Sequence, residues 1–376
     1  MNIIRAVATH SGQLERWLGK EEVEHVSSLM KDWYGPPIAL AGVPGKVFAH
    51  RGGAFRGPIL SGRVATARCA VESFVQRVKR GWRHASRSGQ LNVGFASLSD
   101  LIAEATAGKA RHFSYLKGPV TGVVGVSSSL LQLGSYPPAA ANASAAPGGD
   151  VPVDSTTGFF QFVNPTGGDT QHFVSGFPLA NVSGQTNLLY DCLFRVNKTI
   201  NSTATEAVTG VPTRYQSTTA GADDYIGGNF LFVQVGGTAL AATAHNWTVC
   251  TYLDQANAAS TMPSLTGVSG AITHRYDHTS TGQWFAPLES GDVGIKALTQ
   301  MQCSALVATG VINFVIGHPI AWMPSPVANI MCIADGINTA FNLVRVFDDA
   351  ALAIIQATAA SATATTYSGQ FVTVAG

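Results

Sequence analysis

Leu188-Leu189-Tyr190-Asp191-Cys192-Leu193-Phe194-Arg195-Val196 is a run dominated by apolar and aromatic side chains. Similar short runs recur at Val120–Val126, Phe159–Val163, Asn229–Val235, Trp247–Leu253, Val311–Ile316, Leu343–Phe347 and Tyr367–Val374. Gly, Pro, Asn, Thr and Ser punctuate the intervals. Short apolar, β-branched and aromatic segments separated by turn residues predict strands, and such a series predicts a mainly β body, either a β-sandwich or a jelly roll. Pro137–Pro152 is rich in Ala, Pro, Asn and Gly and predicts a long loop or linker. Ala357–Thr366 carries no charge and would be an aggregation hazard if exposed, so it is expected to pack on a neighbour.

Upstream of this body the texture differs. Leu14, Trp17, Leu18, Val26, Leu29, Met30 and Trp33 recur at helical spacing, with Ser11 as the expected N-cap and Gly35-Pro36-Pro37 as the stop. Val64, Val71, Phe74, Val75, Val78 and Trp82 define a second amphipathic helix. Residues 1–94 are therefore expected to form a helical, basic N-terminal arm, and residues 95–376 the β body. Ser97-Leu98-Ser99-Asp100 fits a capping box opening a short helix that Gly108 closes.

Charge is divided along the chain. Met1–Gly118 holds 17 Lys and Arg against 8 Asp and Glu, whereas Pro119–Gly376 holds 6 against 14. Between Lys46 and Gln90 the basic residues include Arg51, Arg56, Arg63, Arg77, Arg80, Arg83 and Arg87, and only Glu72 opposes them. Such a one-signed surface suits packaged nucleic acid or an acidic protein partner, with a solvated helix face as the plain alternative. No helix-turn-helix, finger or aromatic-basic RNA motif supports sequence-specific recognition.

Charged residues make up only 12% of the 376, about half the share usual in soluble domains. Copies of the chain or partner proteins covering much of the surface would account for this. The five cysteines, Cys69, Cys192, Cys250, Cys303 and Cys332, are scattered without CxxC spacing, which suits small buried hydrophobes in a reduced compartment. The N-terminus is expected to lack a signal peptide, and no apolar run reaches the length of a membrane span.

Candidate chemistry is sparse. His274-Arg275-Tyr276-Asp277-His278 is the one cluster resembling metal ligands, but its Thr, Ser and Gly surroundings favour loop chemistry. Neither a Gly-x-Ser-x-Gly elbow nor a phosphate-binding loop occurs, and the acidic pairs Asp223-Asp224 and Asp348-Asp349 suit solvated turns. Trp247, Tyr252, Tyr276, Trp284, Phe285 and Trp322 could make a sugar-binding platform, although core and subunit contact is the favoured reading. Neither enzymatic activity nor a cofactor or metal is expected.

From Phe95 onward the chain resembles a recurrent group of uncharacterised tailed-bacteriophage virion structural proteins. The resemblance is carried by Phe95-Ala96-Ser97-Leu98-Ser99-Asp100-Leu101-Ile102, Thr156-Thr157-Gly158-Phe159 and Phe285-Ala286-Pro287-Leu288-Glu289-Ser290-Gly291-Asp292-Val293-Gly294. Ala350-Ala351-Leu352-Ala353 and Thr366-Tyr367-Ser368-Gly369 extend it to roughly three quarters of the chain. Members begin near the counterpart of Phe95, which makes residues 1–94 an addition. The resemblance implies a virion component and carries over no catalytic residue. The resulting expectation is a head protein, either a capsid decoration or cement protein or a shell subunit, contacting copies of itself, other virion proteins and packaged DNA, with no membrane partner. A tail or receptor-binding protein and a carbohydrate-binding module are the alternatives.

Overall fold

A computed structural model describes residues 95, 97–182, 184–222, 224–278, 284–337, 343–358 and 362–376. The expected basic arm, with Arg51, Arg56, Arg63, Arg77, Arg80, Arg83 and Arg87, lies outside the described residues. The described chain is mainly β and its sheets are antiparallel.

One short helix, α1 (Leu98–Glu104), opens it. The Ser97 hydroxyl accepts a hydrogen bond from the Asp100 amide at 3.1 Å, and Gly108 ends the following π-helical turn at φ 87°. The strands then follow as β1 (Ala110–Gly122), β2 (Ser127–Ser129), β3 (Ser135–Tyr136), β4 (Gln171–Ala180), β5 (Gln185–Thr199) and β6 (Glu206–Ala207). Next come β7 (Phe230–Val235), β8 (Asn246–Asp254), β9 (Ala259–Thr261), β10 (Leu265–Thr266) and β11 (Ile295–Cys303). The last are β12 (Val311–Ser325), β13 (Ala334–Asp335), β14 (Arg345–Val346), β15 (Leu352–Thr358) and β16 (Ala362–Ala375).

They form three sheets. The first runs β13-β4-β16-β1-β3, with β14 also on β4; the central one runs β2-β15-β5-β12-β7; the third runs β10-β8-β11-β6, with β9 on β8. The two 15-residue strands β5 and β12 each span about 50 Å at about 3.3 Å per residue, long enough to serve two packing partners. Leu189, Ile320 and Ile354 meet Phe113, Tyr367 and Phe371 of the first sheet. Phe194, Val233 and Phe314 meet Trp247, Tyr252 and Met301 of the third. The register slips at Leu193, where Ile316 pairs with Phe194 but Gly317 with Cys192, and this bulge resets which β5 side chains face which neighbour. Tyr190, Cys192, Phe232 and Val315 point the other way, into a cluster completed by Leu131, Phe159 and Tyr276. Burial on both faces is why Leu188–Val196 is nearly continuous in apolar residues instead of alternating.

Several strand expectations are corrected. Phe159–Val163 is loop, and its aromatics act as plugs: Phe160 makes edge-on contacts with Phe113 and Phe371, at 6.2 and 4.9 Å between ring centroids. Leu343–Phe347 contributes only the two-residue β14. Of Val120–Val126 only Val120–Gly122 is strand, the tail of β1, which begins at Ala110. β1 bends at Gly118, where φ is 112° and a Cβ would lie 2.7 Å from the Thr365 carbonyl oxygen, so only glycine fits the bulge. The strands β4, β11 and β15 carry too many polar or small residues to stand out in the sequence. The uncharged Ala357–Thr366 stretch finds partners within its own chain, Ala357 pairing with Thr186 and Thr365 with Val120.

Motifs of the virion resemblance act as turns. Gly158 takes φ 101° beside Ala140, while the Thr156 hydroxyl accepts from the Val153 amide at 3.1 Å. Downstream, the Glu289 carboxylate accepts from the Thr261 amide at 3.2 Å, and the Asp292 carboxylate accepts the Tyr252 hydroxyl.

Candidate assembly surface

The inward side of the first sheet is core. Its outward side follows from strand alternation: β1 buries Phe113, Tyr115 and Lys117 and turns His112, Ser114 and Leu116 outward. Cross-strand register extends these into rows. His112 lies beside Val372 and Ser175; Ser114 beside Gln370 and Phe177; Leu116 beside Ser368 and Leu179, with Tyr136 of β3 completing the last row. Across the three long strands this side holds no Asp, Glu, Lys or Arg. Leu116 and Tyr136 are 45% and 60% exposed. A solvent-facing antiparallel sheet normally alternates apolar inside with charged or polar outside, so an uncharged outer face is unusual.

An apolar border adjoins it. After β12 the chain returns along the outer edge of β4: the Asn329 amide donates to the Ala180 carbonyl oxygen at 2.8 Å, and Ala334 pairs with Gly176. Along this path Val327, Ile330, Met331 and Ile333 are 51–67% exposed. Contiguous exposed apolar surface of this kind marks contact with another molecule. Lys109 bridges Glu104 and Asp169 at 2.7 and 2.6 Å at one end, and Asp335 of β13 stands beside Ser175 at the β4 edge, where its carboxylate accepts from the Ile337 amide.

The titratable groups flagged in the sequence serve the fold. Residues 274–277 lie between β2 and β7 and pair with both, through Ser128–Arg275 and Gln234–Tyr276 bridges, so the central sheet closes through them. Asp277, fully buried, accepts from the Trp247 indole at 2.9 Å and the Val268 amide at 3.0 Å, and its carboxylate faces His245 Nε2. The Asp277 hydrogen bond lifts the His245 pKa; burial pushes His278 down to about 4. Among the described residues no group of three His, Cys, Asp or Glu side chains could hold a metal ion.

Two further buried networks escaped the sequence reading. Arg214 grips the Asp191 carboxylate with two hydrogen bonds of 2.8 Å, and Ala351 donates its amide to the same group at 2.9 Å. Lys117 Nζ donates to the carbonyl oxygens of Leu133, Pro137 and Pro138 at 3.1, 2.6 and 3.3 Å, and burial lowers its pKa to about 8. A charged residue inside an apolar run, as Asp191 is, was the available signal.

The six singled-out aromatics separate. Trp247, Tyr252 and Tyr276 are core, whereas Trp284 and Phe285 gather around the partly exposed Trp322 at 4.8 and 6.2 Å. Two small clefts, each with about 10 Å³ of enclosed space, fall far below the roughly 300–1,000 Å³ of small-molecule sites. Among the described residues, no helix is long and apolar enough to cross a membrane. No family model, curated protein or solved structure matches this chain.

Proposed function

We propose that this chain is a non-enzymatic structural protein of a bacteriophage head, either a decoration or cement protein or a shell subunit. The observation that carries its role in assembly is the outer side of the first sheet, uncharged across its three long strands and bordered by exposed Val327, Ile330, Met331 and Ile333. A chain with only 12% charged residues keeps such a surface dispersed best by covering it with other subunits. The virion assignment rests on the resemblance from Phe95 onward, whose motifs serve as caps and turns. In this reading a helical basic arm, residues 1–94, precedes a sandwich or jelly-roll body, and the arm meets packaged DNA or an acidic capsid surface.

Antibody labelling of purified particles tests the assignment. Label on DNA-filled heads stripped of tails is the expected result. Label confined to tails would replace it with a tail or receptor-binding role, and unlabelled particles would sink it.

A further inference from the structure

We infer that the outward side of the first sheet is a self-association surface on which a second copy of this chain packs face to face. The inference rests on the assembly reading and adds the identity of the partner.

Chemistry excludes the main alternatives. Nucleic acid demands Lys and Arg against phosphates, and the three long strands offer none on this side. A bilayer surface would favour a continuous apolar face with cations around it, whereas Ser114, Gln370 and Ser368 occupy the middle of this one. What remains is a protein surface uncharged across its three long strands, with Asp335 at its β4 edge, and the strongest candidate is the same surface on another copy. In a two-fold contact each group near the axis meets its own counterpart, so a single-signed charge would repel itself. Serine hydroxyls and the Gln370 amide both donate and accept hydrogen bonds, so they pair with themselves. Gln370 already donates to the Ser114 hydroxyl at 3.2 Å, which fixes its amide flat on the sheet.

Size agrees. Phe95 covers the end of this side at His172 and Val374; the remainder of β4, β16 and β1 spans about 500 Å² in plan at about 4.8 Å between strands and about 3.3 Å per residue. The Val327–Ile333 border adds apolar surface along the β4 edge, bringing the whole near the roughly 800 Å² per partner of a stable interface. The charged groups at the ends, Lys109 with Glu104 and Asp169, supply the polar rim.

Gln370→Lys and Gln370→Glu place a charge at the centre of this face on an exposed side chain, so folding should be retained, as circular dichroism and melting would verify. In sedimentation velocity of the full chain, wild type should associate. Each variant should associate more weakly by on the order of tenfold or more, and an equimolar mixture of the two should recover association. Thr248→Lys, on the exposed side of the third sheet, should behave as wild type. The inference is overturned if both Gln370 variants associate as wild type does, or if wild type stays monomeric at all concentrations. Particle labelling decides the virion reading separately: a monomeric protein found on heads sinks only this inference, and a face-dependent dimer absent from particles sinks only that reading.

Discussion

His245 Nε2 lies 3.0 Å from Asp277 Oδ2, and Nδ1 of the same ring lies 2.9 Å from the Thr243 carbonyl oxygen. Both ring nitrogens thus face acceptors, which only the doubly protonated imidazolium satisfies. The folded pKa is raised, chiefly by the Asp277 hydrogen bond. For a raised pKa the added stability is complete below the unfolded value of about 6.5 and is lost as pH rises through the folded value. His278 and His318 behave oppositely: burial pushes each down to about 4, so they withdraw stability as pH falls from about 6.5 toward 4. The histidine contribution to stability should therefore peak near neutrality, while Lys117, its pKa lowered to about 8, adds stability as pH rises above that value. His245→Gln should flatten the alkaline limb and leave the acid limb in place. An unchanged alkaline limb would show that the imidazolium contributes nothing.

Arg214 reaches Asp191 from the loop after β6, and its Nη2 also donates to the Pro152 and Cys192 carbonyl oxygens at 3.2 Å. Removing one partner of such a pair leaves a buried charge without compensation, which costs about 3–5 kcal/mol. Arg214→Met should lower unfolding free energy by that order in urea titration. Because the penalty belongs to the orphaned carboxylate, adding Asp191→Leu should recover part of the loss. Strictly additive losses would argue that the two side chains act independently.

Much of the body was legible because continuous apolar runs become doubly buried strands. Leu188–Val196 falls inside β5 and Tyr367–Val374 inside β16 for this reason. β1 was missed over its first ten residues although Phe113 and Tyr115 alternate with His112 and Ser114. Arg111, His112 and Lys117 look loop-like, and the buried position of Lys117 depends on carbonyl oxygens from Leu133, Pro137 and Pro138, which only folding brings together. The same limit hides the candidate surface. Ser114, Gln370 and Phe177 are far apart in sequence, and only the register of β1, β16 and β4 reveals them as one uncharged row. His274–His278 resembled ligands because spacing alone cannot show that Asp277 is occupied by His245 and Trp247.

Ile330 and Ile333 border the first sheet with most of their side chains in solvent, so the fold gains little from them. Ile330→Ser and Ile333→Ser should each change unfolding free energy by no more than about 0.5 kcal/mol, the usual range for a surface substitution. Association in sedimentation should nevertheless weaken, and so should binding of a dye that reports exposed apolar surface. A marked fall in stability would instead assign this segment to the body's own packing.

Arg77, Arg80 and Arg83 belong to the arm that the proposed function sets against DNA or an acidic capsid surface. Changing all three to Glu should stop incorporation into particles while the purified protein still folds and associates through the first sheet. The two partners then separate by salt and by cargo. Phosphate contacts release counterions, so a DNA-bound arm should lose affinity steeply as salt rises and should not load onto DNA-free shells. An arm held by an acidic protein surface should load onto empty and filled shells alike. Normal incorporation of the triple variant would mean that these arginines are solvated charges with no part in docking.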